Sequence, residues 1–143
     1  MPDTGKVNQD ASTPPKTAKK KVLIIEDEKD ISEVYQQILI ESGYEVISAE
    51  NGKNGLLKVF EFSPDMIILD LRMPVMDGKT MLSKLKNDPA FRKYENVPVV
   101  ILTNSESYES TRDTKTLGGA NEYIIKANIA PNEIINIVQR YIG

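Results

Sequence analysis

An α/β fold is predicted, a doubly wound (βα)5 sandwich of three layers around a parallel five-stranded sheet, and three observations predict it. Five short apolar runs recur at regular intervals between residues 21 and 126. Three of them, KVLII, DMIILD and VPVVIL, are nearly continuous in Val, Ile and Leu, as parallel strands buried on both faces require. Segments with helical spacing of apolar residues alternate with the runs, and right-handed crossovers then place helices on both faces of the sheet.

The first strand is 21–25 (KVLII). Ile31, Val34, Tyr35, Ile38 and Leu39 follow at i, i+3, i+4, i+7 and i+8, one stripe of a first helix. Asp30 with Glu33 resembles a capping box at its start, and Gly43 stands where a left-handed residue would close it. The second strand is 44–48 (YEVIS). Leu56, Leu57 and Phe60 mark a second helix, with Asn51 as its cap. The third strand is 65–70 (DMIILD), and Met81, Leu82 and Leu85 mark a third helix that Pro89 interrupts or ends. The fourth strand is 97–102 (VPVVIL). A fourth helix, about 106–117, is mostly polar, with Tyr108 among its few apolar residues, and ends at Gly118-Gly119. The fifth strand is 121–126 (NEYIIK). The fifth helix has Pro131 in its first turn and a stripe of Ile134, Ile135, Val138 and Ile142. These apolar stripes are expected to form the core.

At 143 residues the chain suits one domain with one core. Residues 1–19 lack apolar periodicity and are rich in Pro, Thr, Asp, Asn and Lys; they read as a disordered N-terminal tail ahead of a domain at 20–143, with no second domain after Gly143. The chain has no cysteine and no histidine. That excludes disulfides, thiolate sites, histidine-ligated zinc and histidine triads. No apolar run is long enough to span a bilayer and no signal-peptide stretch opens the chain, so a cytoplasmic protein is expected. Residues 1–21 carry a net charge of +3, and the remainder −6. An acidic body argues against broad nucleic-acid binding.

Polar residues gather at the strand ends: Glu26-Asp27 after the first, Asp70 at the third, Thr103-Asn104 after the fourth, Lys126 at the fifth. In open parallel sheets ligands bind outside those ends, at the switch in strand order. If the first and third strands are neighbours, three carboxylates converge there. The usual reason is a divalent cation, and the usual chemistry beside it is phosphoryl transfer.

Ile24-Ile25-Glu26-Asp27, Asp70-Leu71-Arg72-Met73-Pro74-Val75-Met76-Asp77-Gly78, Ile101-Leu102-Thr103 and Gly119-Ala120-Asn121-Glu122-Tyr123-Ile124-Ile125-Lys126, at these spacings, resemble the receiver domain of two-component response regulators, of the stand-alone chemotaxis-regulator type. The resemblance covers roughly residues 20–143. It implies a flavodoxin-like topology with strand order 2-1-3-4-5. It also implies that Asp70 is the phosphoacceptor, charged by a sensor histidine kinase or phosphotransfer protein. Asp27 would ligate Mg2+ directly, Glu26 directly or through water, and the backbone carbonyl of Arg72 would add a ligand. Thr103 would hydrogen-bond the phosphoryl group, Lys126 would pair with it or with Asp70 before transfer, and Tyr123 would be the switching aromatic. The fourth helix, fifth strand and fifth helix would meet a downstream effector protein, by a monomer or a phosphorylation-dependent dimer, without direct contact to nucleic acid or membrane. Such a domain is not an enzyme, apart from intrinsic autophosphorylation and autodephosphorylation.

The residues fit that chemistry on their own terms. A carboxylate is a modest nucleophile, so rate must come from positioning and charge neutralisation. Like-charge proximity is expected to raise the pKa of one acid in the metal-free site.

Two departures from the family pattern stand out. Ala127 follows Lys126 where proline, commonly cis, is usual; a non-proline cis bond costs roughly 3 kcal/mol, so a trans bond and a rearranged 127–130 loop are expected. Asn104 replaces a small residue and would narrow access to Asp70, and Arg72 can reach the site. The rival readings are a non-phosphorylated interaction module on the same fold and a phosphatase with an aspartyl-phosphate intermediate. The second lacks the expected general acid, because Arg72 occupies its position. A flavin-binding variant is disfavoured by the acidic rim.

Overall fold

The computed structural model describes residues 18–104 and 119–143. Strands β1 (Lys21–Ile25), β2 (Glu45–Ala49), β3 (Met66–Leu69), β4 (Val99–Thr103) and β5 (Glu122–Ile125) form one sheet. All four pairings are parallel and the order is 2-1-3-4-5. The described helices are α1 (Lys29–Glu41), α2 (Gly52–Phe62), α3 (Gly78–Asn87) and α4 (Glu133–Ile142), with 3-10 segments at Pro89–Tyr94 and Lys126–Asn128. The fourth helix expected at 106–117 lies outside the described residues, as does the expected tail except for exposed Ala18 and Lys19.

Alternation along each strand sorts the core into two halves. Leu23 and Ile25 of β1 pack with Val59 and Phe62 of α2 and with Leu82 and Leu85 of α3. Val22 and Ile24 point the other way, to Tyr35 and Leu39 of α1 and to Ile134, Ile137 and Val138 of α4. β3 and β4 divide in the same manner, so the central strands need apolar residues at every position.

Helix ends follow local chemistry. Asn51 caps α2 by accepting from the Asn54 N–H at 2.8 Å. Asp77 caps α3 by accepting from the Thr80 N–H at 2.8 Å. The expected stop at Pro89 is found: α3 ends at Asn87 and Pro89 opens the 3-10 segment. Gly43 has φ +102°, the left-handed position expected after α1. Lys86, in the last turn of α3, donates to the carbonyls of Glu95 (2.7 Å) and Val97 (3.1 Å). Its stem lies against Gly119, where a Cβ would come within 2.8 Å. Among the described residues no helix is long and apolar enough to cross a membrane.

Several local expectations are corrected. The Asp30–Glu33 capping box is not formed: α1 begins at Lys29 with Glu28 as its N-cap, and no side chain caps it. Pro131 precedes α4, which starts at Glu133. The stripes are not wholly core, since Val34 and Leu57 are 48% and 51% exposed and Phe60 is also exposed, stacked on Phe91 at 4.5 Å. On α1 the buried face runs through Ser32, Tyr35 and Leu39 instead.

This division predicts unequal costs for similar truncations. Leu82→Ala, inside the α3 side of the core, should lower stability by about 3 kcal/mol in urea denaturation, and Leu57→Ala by less than about 0.5 kcal/mol.

Candidate functional site

Register alone brings the polar strand ends together. Ile25 of β1 lies opposite Leu69 of β3, so the next residues, Glu26 and Asp70, stand side by side. Their own peptides extend the ladder: the Asp70 N–H donates to the Ile25 carbonyl at 3.0 Å, and the Glu26 N–H donates to that of Ala49 at 3.0 Å. Thr103 ends β4 opposite Ile125 of β5, which places Lys126 one residue beyond. Gly78 completes the floor, since a Cβ there would lie 2.1 Å from the Asp70 carbonyl oxygen. The loop between carries Val75 at φ +67°, a strained left-handed conformation for a β-branched residue, at its exposed tip.

Carboxylate oxygens of Glu26, Asp27 and Asp70 all lie within 4.8 Å of one another. Glu26 and Asp70 are buried and Asp27 is exposed. The Thr103 hydroxyl donates to Asp70 Oδ1 at 2.7 Å. The Lys126 ammonium pairs with Glu26 Oε1 and lies 3.8 Å from Asp70 Oδ2. The backbone N–H of Glu28 donates to Glu26 Oε2 at 3.1 Å.

The expected raised acid is Glu26, pushed up to about 7. The cause differs from the one expected. Burial is the largest contribution; the Lys126 hydrogen bond opposes it, and the charge of Asp70 only adds to it. Burial also works against the Lys126 ammonium, but the hydrogen bond to Glu26 and the charges of Asp70 and Glu26 outweigh it and hold its pKa above the ordinary value.

Of the residues singled out in the sequence, Glu26, Asp27, Asp70, Thr103 and Lys126 meet at this rim. Exposed Arg72 and Asn104 stand at the edge of a cleft of about 250 Å3 that they line with Asp27, Asp70, Thr103 and Lys126. Tyr123 is half-buried against the α2–α3 side of the core. The Lys126–Ala127 bond is trans, as expected, and Lys126–Asn128 forms a 3-10 turn. Lys126 departs from expectation by resting on Glu26 more closely than on Asp70. Two contributors were not singled out as site residues. The Glu28 N–H leaves no trace in a sequence. Tyr35, read as core, is buried yet lines an apolar groove of about 350 Å3 with Lys126, Ile31, Val34, Ala127 and Pro131. A larger hollow of about 560 Å3 between α1 and α2 shares only Glu26 and Asp27 with the site.

The donor set fits a hard divalent cation. It offers carboxylate oxygens only, two from buried groups and one at the water-facing edge, and so suits Mg2+, which keeps several waters.

The family model of the response regulator receiver domain matches residues 22–139. A probable transcriptional regulator ycf27 of Porphyridium aerugineum is 36% identical over 116 residues, which cover 81% of this chain and 45% of that protein. The chain thus spans less than half the length of that relative. Chemotaxis protein CheY4 of Vibrio cholerae has a similar structure, with a TM-score of 0.76 and 30% identity over 87% of this chain and all of that one. The response regulator TrrA of Thermotoga maritima, solved in complex with Mg2+ and BeF, gives a TM-score of 0.70 at 28% identity, covering 86% of this chain and 99% of that one.

The Glu26 carboxyl makes stability depend on pH in a defined direction. Its folded value of about 7 exceeds the ordinary 4.5, so the folded state keeps a proton that the unfolded chain has released. The stabilisation is complete below pH 4.5 and is lost as pH rises through 7. The chain has no histidine to confuse that window. In cation-free buffer, stability in urea should fall between pH 5 and 8 by on the order of 2–3 kcal/mol, and Glu26→Gln should flatten the profile. An unchanged slope in that variant would assign the titration to another group.

Proposed function

The chain belongs to the response regulator receiver domain family, and on that premise we propose that it accepts a phosphoryl group on Asp70 in a Mg2+-dependent reaction and signals by protein–protein contact. One observation carries the reading: a buried nucleophilic carboxylate lies between a hydroxyl donor and an ammonium, within reach of two further acids.

A carboxylate oxygen of Asp70 attacks phosphorus, and the N–P bond of the donor phosphohistidine breaks as the acyl phosphate forms. Thr103, whose hydroxyl now donates to Asp70, would donate to a phosphoryl oxygen instead. Lys126 would neutralise the charge that the group brings. Asp27, Asp70 and the Arg72 carbonyl would hold Mg2+, with Glu26 holding it directly or through water, and the ion would supply charge neutralisation to the transferring phosphoryl group. Arg72 and Asn104, at the cleft edge, bear on the access of water and thus on phosphoryl lifetime. The single acceptor aspartate, with Arg72 where an aspartyl-phosphate phosphatase needs its acid, favours a signalling domain over a turnover enzyme.

The partners follow from the same reading. The donor is a sensor histidine kinase or a phosphotransfer protein, and the apolar groove at Ile31, Val34 and Pro131 offers it a surface beside the cleft. The output surface comprises the segment between β4 and β5, β5 with Tyr123, and the C-terminal helix, with phosphorylation shifting the population between two arrangements of these parts. Effector contact is by a monomer or a phosphorylation-dependent dimer in the cytoplasm, and the acidic body does not favour nucleic acid.

Incubation with candidate histidine kinases, labelled ATP and Mg2+ should label the wild type and leave Asp70→Ala unlabelled. Equal labelling of both would move the acceptor elsewhere. Thr103→Ala should still accept label, at a rate reduced about tenfold or more, consistent with one lost hydrogen bond to a charged group.

A further inference from the structure

Strand β2 is one edge of the sheet. Its Glu45 N–H donates to the Lys20 carbonyl at 2.9 Å, and its Ala49 carbonyl accepts from the Glu26 N–H at 3.0 Å. Glu45, Ile47 and Ala49 thus turn their peptides toward β1, and Val46 and Ser48 turn theirs outward. Among the described residues nothing pairs with those two N–H and two C=O groups. Edge strands are commonly guarded by Lys, by Pro or by a cover, and β2 (EVISA) holds neither residue. α1 and α2 pack on opposite faces of the sheet, so the hollow of about 560 Å3 between them opens over this edge. Ser48, Ser32, Asn54, Glu33, Glu50 and Glu61 are among the residues that line it. Ser32 is only 4% exposed; its hydroxyl oxygen accepts from Gln36 Nε2 at 3.0 Å, and among the described residues its hydrogen meets no acceptor.

We infer that residues 6–12 of this chain (KVNQDAS) add along β2 as a sixth strand, antiparallel to it. The chain enters the sheet beside this edge, since the Lys20 carbonyl bonds Glu45, the first residue of β2. Two strand spacings, about 10 Å, separate β1 from a strand outside β2. Residues 13–17, at up to about 3.3 Å each, bridge that distance. They include Pro14 and Pro15, which cannot donate to a ladder and suit the corner. Residues 6–12 hold no Pro or Gly and are long enough to line the five residues of β2. Asn8, Gln9, Asp10 and Ser12 carry acceptor oxygens of the kind the Ser32 hydroxyl lacks. Running back along β2, the segment brings Lys6 to the carboxyl end of the strand, which Glu50 follows. A second copy would instead set acids against acids, because the hollow is lined by five acids and two lysines and residues 22–143 carry a net charge of −6. A short tether gives an effective concentration on the order of millimolar, so a contact too weak to hold separate molecules together is populated within one chain. The added strand stands whether or not Asp70 accepts a phosphoryl group, and it makes the N-terminal segment a built-in competitor for any partner strand that reaches this edge.

Backbone amide hydrogen exchange, read by NMR on the full chain, tests this. The Val46 and Ser48 amides should exchange about tenfold more slowly in the wild type than in the Asn8→Pro/Gln9→Pro double variant, the ratio expected if the strand is in place about nine-tenths of the time. Adjacent prolines remove one N–H from the pairing side in either register, and the Ile24 and Ile68 amides of the central strands should keep their wild-type rates. Because the chain has no cysteine, a nitroxide can be placed at Thr4→Cys alone. It should broaden the Ser48 and Glu50 signals and spare Glu122 on the opposite edge of the sheet. Equal exchange at Val46 and Ser48 in the wild type and the double variant overturns the proposal. So does slowing that grows with protein concentration and survives the prolines, which would give the edge to a second copy. Equal broadening of Ser48 and Glu122 overturns it as well.

Discussion

Ionised carboxylates with oxygens within 4.8 Å of one another repel by about 3.5 kcal/mol per pair at an effective dielectric near 20. The rim of this sheet gathers three, and much of the local structure answers that repulsion. One ammonium, from Lys126, enters among them and is itself held charged by their field. One carboxyl, Glu26, keeps its proton to an unusually high pH because burial disfavours its anion. One hydroxyl, from Thr103, and one peptide N–H, from Glu28, serve two further oxygens. A single ammonium does not balance the three acids once Glu26 ionises. That deficit of positive charge makes the site receptive to a small hard cation and then to an anionic phosphoryl group.

The central strands were legible in the sequence because both their faces are buried, which leaves no polar position to obscure the run. The site was legible for a related reason: with apolar interiors, polar residues stand out where the strands stop, and parallel register makes those stops coincide in space. Helix surfaces were less legible. An apolar stripe records which residues could be buried, not how the helix is rotated, and on α1 the inner face includes Ser32 in place of Val34. Leu57 follows Leu56 by 100° around α2 and is carried out of the core. Asp30 and Glu33 had the spacing of a cap, but α1 starts before Asp30, at Lys29.

The choice made by Lys126 was beyond sequence reasoning altogether. Its partner is 100 residues away, and two carboxylates stand within its reach. Spacing along the chain does not say which of the two it contacts; in the fold it pairs with Glu26, while Asp70 accepts the Thr103 hydroxyl at Oδ1. The dominant role of burial in raising Glu26 was equally hidden, because charge proximity can be foreseen from spacing whereas desolvation requires the packed structure.

The peptides of Glu26 and Asp70 are themselves rungs of the β-ladder, bonded to Ala49 and Ile25, and Gly78 presses directly on the Asp70 backbone. The acids therefore cannot drift apart by loop breathing; separating them means parting the central strands, which demands nearly the free energy of unfolding the whole domain. The central floor is thus the fixed part of the rim, and the freedom left to its acids lies in their side-chain torsions.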